Sequence, residues 1–246
     1  ADPGGPSTRS TPVRWISKTE LVLALLGRAP SAQVPALATA LDWRLPRSAA
    51  ILVCHGDRLA GLSRRLGAEA LPAHVDGFGC VVFPDAEGPG RRDLLRVAAT
   101  RRKVAVGPDV PLPQLPLSWQ LATATLELAD GDSLVTADEH LAALIINLAT
   151  PVVKRIAERR LAPLRSLTPA AQARVTATAL AYIQHNGNAA AMSRTLHLHP
   201  QTARYRIARL RELLGAQLDD ADARFEIEAA LRAITARSQP RSEGHS

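Results

Sequence analysis

"HLHPQTARYRIARLRELLG", residues 197–215, gathers basic side chains on one predicted helix and holds no acid before Glu212. Pro200 opens that helix. At the first helical position proline forfeits no hydrogen bond, because the N–H there would be unpaired in any case. Gly215 is a natural stop. At 100° per residue, Ala203, Ile207, Leu210 and Leu214 fall on one narrow apolar stripe, the side that must be buried. The opposite side carries Gln201, Thr202, Tyr205 and Arg209, with Arg204 and Arg206 on the flanks. A solvated helix usually mixes acids among its bases in i, i+4 pairs, and this one does not. Gln can pair with adenine and Arg with guanine through two hydrogen bonds, while flanking Arg side chains suit phosphates. The pattern is that of a helix lying in a DNA major groove.

Working upstream, Thr168 and Pro169 open a helix predicted to run to His185. Gly187 supplies the left-handed backbone that ends it, and Asn188 is a strong N-cap for a short helix to Leu196. "HLH" is a three-residue turn, so the order is helix-turn-helix, whose second member reads the groove. Ser193 is small enough for close approach at the corner, and Leu198 is expected to plug the turn into the core. The positive end of the 200–214 helix points toward phosphate. His199 is not a preferred N-cap, which leaves a phosphate or base contact equally open to it. The candidate DNA contacts are Asn188, Ser193, Arg194, His199, Gln201, Thr202, Arg204, Tyr205, Arg206 and Arg209.

The charge distribution agrees. The 246 residues carry a net +7, and all of it lies in residues 151–246, where 15 Lys/Arg face 8 Asp/Glu; residues 1–150 hold 15 of each. A basic excess confined to one segment implies an anionic partner for that segment. Length allows one large or two modest domains. Cys54 and Cys80 form no CxxC pair and sit in apolar runs, as reduced core thiols of a cytoplasmic protein; the alternative is a redox pair on neighbouring strands. In "KTELVLALLGRAPSA" the apolar core, Leu21 to Leu26, is shorter than a signal core and is bracketed by Glu20 and Arg28. No run approaches a membrane span.

Residues 1–14 read as a disordered linker or a non-native remnant, and 238–246 as a disordered tail. Residues 15–46 are helical: Ser17 caps 17–27 with Glu20 three residues on, and a second helix spans 31–41. In 47–136 the order is strand 49–55, helix 57–67 capped by Asp57, and strands 71–75 and 79–84 turned at Asp76-Gly77. Helix 91–100 and strand 103–107 follow, then a Pro-rich connection and helix 117–129. β-α-β-β-α-β is a ferredoxin-like order. Residues 137–165 form a helical linker, in which Asp138 caps a helix with Leu141, Leu144, Ile145 and Leu148 at helical spacing; Pro151 restarts it. Residues 166–237 form the all-α helix-turn-helix domain, closed by the helix of "DADARFEIEAALRAI". There is no internal repeat.

With these residues laid out, "LHLHPQTARYRIARLRELLG" followed by "LDDADARFEIEAAL" resembles the C-terminal helix-turn-helix domain of PucR/CdaR-type bacterial transcriptional regulators. The family pattern matches Leu196, His197, His199, Thr202, Tyr205, Arg206 and Ile207. More weakly, "RRLAPL", "ADEHLAALIINLA" and the β-α-β-β-α-β region resemble the family's linker and central domain, itself a degenerate nucleotide-cyclase-like fold. The resemblance covers about Lys18 to Ala236. It implies an α/β central domain followed by the helical domain, in a regulator that binds double-stranded operator DNA and responds to a small-molecule effector. Met192 stands where small residues are usual. Such regulators commonly carry an N-terminal sensor domain that this chain, as a fragment or a short member, is expected to lack.

Other chemistry is weak. A cyclase needs paired acids holding two metals near its central hairpin, and "HVDGFGCVV" has Asp76 alone. His185, His197 and His199 have no Cys or carboxylate to complete a metal set and read as capping and packing residues. No catalytic residue, metal site or cofactor is assigned. A lone recognition helix touches few bases, so a homodimer on an inverted repeat is expected, with helices 17–27 and 138–149 as candidate contacts. The alternative reading is a small-molecule or nucleotide-binding signalling module whose C-terminal helices dock a protein.

Overall fold

The Ser17 hydroxyl accepts the backbone N–H of Glu20 at 3.2 Å, and the Glu20 carboxylate accepts that of Ser17 at 3.3 Å. This capping box starts helix α1 (Lys18–Leu25), and Gly27, at φ 70°, ends it. The computed structural model describes residues 17–129 and 131–238; the expected linker 1–14 and residues 239–246 of the expected tail lie outside them. The chain divides between Glu139 and His140 into two units.

In the first unit, α2 (Val34–Ala40) follows a 3₁₀ turn at Ser31–Gln33, and then come strand β1 (Ser48–His55) and α3 (Leu59–Leu66). The hairpin β2 (Leu71–Val75) and β3 (Phe78–Pro84) turns on Asp76 and Gly77. Both turn residues have positive φ, as a two-residue hairpin of matched twist requires. α4 (Arg91–Ala98), β4 (Val104–Val106), β5 (Val110–Pro111), α5 (Leu115–Leu128) and β6 (Leu134–Thr136) complete the unit. The sheet runs β2-β3-β1-β4-β6, with β5 on the start of β1. The β2-β3-β1-β4 pairings are antiparallel, the ferredoxin-like arrangement, and β6 adds a parallel edge beside β4. Neither β5 nor β6 was expected.

β1 is buried on both faces. Ala49, Ile51 and Val53 pack with α1, α2 and α5, whereas Ala50, Leu52 and Cys54 pack with α3 and α4. The described part of the expected helical segment, residues 17–46, therefore belongs to this unit's core. Leu21, Val22 and Leu25 of α1 are buried there, so the apolar face of that helix is not free for a dimer contact. Cys54 and Cys80 are free thiols on opposite faces of the sheet, so no redox pair forms. Burial pushes them up to about 11 and about 12, and both stay protonated. A side-chain carbon on Gly79 would lie 2.9 Å from Cys54 Sγ and 3.0 Å from Leu59 Cβ, so the strand needs glycine there. Asp57 does not cap α3. The chain first tightens into a 3₁₀ turn at Gly56–Arg58, leaving Asp57 beside Arg58 at 3.2 Å.

The second unit is helical: α6 (Leu141–Leu148), α7 (Thr150–Arg160), α8 (Pro169–Gln184), α9 (Ala189–Thr195), α10 (Pro200–Leu214) and α11 (Ala221–Ser238). Asp138 does not cap α6, because residues 137–140 form a 3₁₀ turn and no side chain caps the helix. The expected linker 137–165 is largely built into this unit. Ile156, Ala157, Leu161 and Leu164 join Tyr182, Met192, Leu210, Ile227 and Leu231 in one core, since the apolar face of α7 must be covered and α11 covers it. Among the described residues, no single helix is long and apolar enough to cross a membrane.

Candidate nucleic-acid interface

Two Schellman turns set the angle of the helix-turn-helix. At the end of α8, Gly187 N–H donates to Tyr182 O (2.8 Å) and Asn186 N–H to Ile183 O (3.3 Å). Two left-handed residues follow the cap, Asn186 (φ 48°) and Gly187 (φ 75°). Gly187 takes the left-handed backbone expected of it, and a side-chain carbon there would meet the Tyr182 ring at 2.9 Å. Asn188 Oδ1 then accepts the N–H groups of Ala190 (3.1 Å) and Ala191 (3.0 Å), capping α9 as expected. The same device ends α9: Leu198 N–H donates to Ser193 O (2.8 Å) and His197 N–H to Arg194 O (3.2 Å), with His197 left-handed at φ 51°. His197 thus makes the turn, a role its residue type does not announce.

His199 caps α10. Its Nδ1 accepts the Gln201 N–H at 3.3 Å, which places the ring proton on Nε2. Pro200 has no N–H, and the Ala203 N–H donates to His199 O (3.1 Å). The Thr202 N–H is the donor left over at this exposed tip. The positive end of α10 therefore offers one backbone donor to an anion, fewer than a bare helix start.

The apolar stripe falls where the spacing placed it. Ala203, Leu210 and Leu214 are buried and Ile207 is half-buried against the core that holds Met192 and Tyr182. Met192, the departure from the family's small residues, is fully buried in that core. Gln201, Thr202, Arg204, Tyr205 and Arg209 are exposed together on the other side, Tyr205 to 72%; Arg206 is half-buried on the flank. Arg209 reaches Glu212 at 2.6 Å, one turn along. Such an exposed pair contributes only about 0.2–1 kcal/mol, so Arg209 can exchange it for an anion. Asn188 and Arg194 are exposed on α9.

Two expectations are corrected. Ser193 is 6% exposed and its hydroxyl donates to Ala190 O at 2.9 Å, so it packs the corner and has no free group for DNA. Leu196, not Leu198, joins the core, because the left-handed step at His197 redirects the chain between them. Arg211 is a residue that charge pattern alone does not place. It donates to Tyr182 Oη at 2.7 Å and stacks over that ring at 5.7 Å, bracing α10 on α8. His185 Nε2 lies 2.7 Å from Thr195 Oγ1, joining α8 to α9 as a packing histidine.

In the α/β unit, the hairpin's Asp76 is bound to Arg28 in two contacts of 2.7 and 2.6 Å. The hydrogen bond from that guanidinium holds the Asp76 carboxyl below its usual range. The lone acid that a cyclase-like reading would recruit is held by a cation of its own unit.

No curated protein matches the chain. The crystal structure of Regulator of Polyketide Synthase Expression from Bifidobacterium adolescentis is similar over 90% of this chain and 98% of that one. The identity is 16% and the TM-score 0.40, a likeness too distant to bear on function. Residues 175–233, from within α8 to within α11, match the PucR C-terminal helix-turn-helix domain. The chain carries the C-terminal helix-turn-helix domain of PucR-type regulators.

Proposed function

We propose that the chain is a sequence-specific DNA-binding regulator of transcription that lays α10 in the major groove. One observation carries this reading. The exposed side of α10 brings Gln201, Thr202, Arg204 and Tyr205 to the start of a helix whose first acid is Glu212. Residues near the start of a recognition helix are those that reach base edges. Gln201 reads a base, Thr202 and Tyr205 flank it, and Arg194, Arg204, Arg206 and Arg209 meet phosphates or guanine. Asn188 and His199 act on DNA through the caps they form, with His199 Nε2–H free to donate to a phosphate. The protein works in the cytoplasm as a homodimer on an inverted repeat, and residues 47–136 form the domain that takes a small-molecule effector.

The test is to incubate the chain with sheared genomic DNA of its source at physiological salt and sequence what is retained. A few fragments sharing an inverted repeat are expected. Uniform retention would reduce the protein to a non-specific binder, and absence of retention would overturn the reading.

A further inference from the structure

We infer that the face built by Leu141, Ile145, Leu148 and Val152 is where a second copy of this chain docks, antiparallel and two-fold, with Asp138 of each copy against Arg155 of the other. The inference rests on the dimeric reading above and names its surface.

The starting point is an unpartnered stripe. A helical run, Ala137–Leu148, turns by 65° into α7. Leu144 and Val153 are buried in the chain. Leu141, Ile145, Leu148 and Val152 are 50%, 64%, 43% and 61% exposed. Single exposed leucines are ordinary on a protein surface, but Leu141, Ile145 and Leu148 at i, i+4 and i+7 line one face of α6, and exposed Val152 follows just past the bend. No charged residue interrupts the sequence from Leu141 to Val153.

A second copy is the occupant because the segment is its own complement. About the midpoint between Ile146 and Asn147, Ile145 mirrors Leu148, Leu141 mirrors Val152, and Asp138 mirrors Arg155. In a two-fold interface residue i meets j wherever j meets i. Antiparallel pairing about that midpoint sets apolar side chains on apolar ones and an acid on a base at both ends, twice over. An unrelated partner requires no such mirror. The bend is compatible, since a two-fold axis lying in its plane can exchange the arms and set each α6 along the partner's α7. Asp138 and Arg155 are both exposed, and Arg155 is held within its chain by Glu158 at 3.4 Å, an exposed pair easily exchanged.

Sedimentation equilibrium over a concentration series, with far-UV dichroism and thermal midpoints as folding controls, tests this. The wild-type chain is expected to be a dimer. Ile145→Glu/Leu148→Glu is expected to be monomeric with unchanged far-UV dichroism and the thermal midpoint of dissociated wild type at high dilution, because both side chains are exposed in the single chain. Asp138→Arg places like charges opposite at both ends and raises the dimer dissociation constant roughly tenfold. Asp138→Arg/Arg155→Asp brings it back toward wild type, a rescue that a merely structural role would not produce. A monomeric wild type, a dimer that survives Ile145→Glu/Leu148→Glu, or failure of the double reversal to rescue overturns the inference. So does a monomer that sediments with phosphatidylserine vesicles, which would assign the stripe to a lipid surface. Binding of a labelled random-sequence duplex at low salt separates the two readings. A dimer that ignores the duplex leaves the docking face and removes the DNA reading, while a monomer that binds it does the reverse.

Discussion

The two units differ in what their most prominent cations and apolar faces meet. In the α/β unit Arg28 is bound by Asp76, Arg91 by Glu69 and Arg92 by Glu87, while Arg91 also lies 5.0 Å over the Phe83 ring. Its sheet is covered on both faces. In the helical unit, Arg204 and Arg206 form no ion pair among the described residues, Tyr205 stands in solvent, and the apolar stripe of α6 and α7 is uncovered. Both units hold ion pairs, Arg160 with Glu226 among those of the helical one, so the difference is one of particular faces. A face that leaves cations or large apolar side chains unsatisfied is built to be completed by something else.

That contrast breaks most visibly at the sheet. Phe83 is fully buried, and Phe83→Ala is expected to remove about 3–5 kcal/mol from the α/β unit's unfolding free energy, read from urea denaturation. A loss near zero would mean that the sheet is not the closed core described. On α10 the balance reverses. Gln201→Ala is expected to shift stability by no more than ~0.5 kcal/mol, yet to reduce discrimination between operator and random DNA by about 1–3 kcal/mol. Equal losses on both duplexes would remove Gln201 from the base-reading set. Asn188→Ala sits between the two. Two N–H groups lose their acceptor, and the helical unit is expected to lose about 1 kcal/mol, measured by its urea midpoint. A change of a few tenths would mean that water caps α9 equally well.

Local rules were legible where one residue decides one turn. The Ser17/Glu20 box, the Asp76-Gly77 hairpin, the Asn188 cap and the buried stripe of α10 all followed from residue type and spacing. Features set by distant partners were not. β6 is three residues long and is defined by pairing with β4 some 30 positions earlier, so no local periodicity announces it. Residues 150–160 look amphipathic in isolation, but the sequence does not say that α11 covers them. Within the candidate site, Leu198 was misplaced for a backbone reason. A left-handed histidine is uncommon, and the step at His197 determines which neighbours turn inward. The same step gives His199 its cap geometry, so a residue weighed as a contact is first a structural one.

The smallest expected effect tests whether any charge of the helical unit serves its own fold. Arg160 Nε on α7 donates to Glu226 Oε2 on α11 at 2.5 Å, with Gln217 Oε1 3.4 Å from the same guanidinium. The hydrogen bond to Arg160 holds the Glu226 carboxyl below its ordinary range. Because the folded value is depressed, the unfolded chain binds the proton first. The pair's contribution is complete above the ordinary glutamate range and is lost as pH falls through the depressed folded value. Glu226→Gln, which keeps the shape and removes the charge, should therefore be less stable than wild type at neutral pH. The gap should close in acid. Urea midpoints of both proteins across that range decide the matter. A gap that does not change with pH would mean that α7 and α11 are held by packing alone, and that even this inward-facing pair leaves the fold of the helical unit indifferent to its charge.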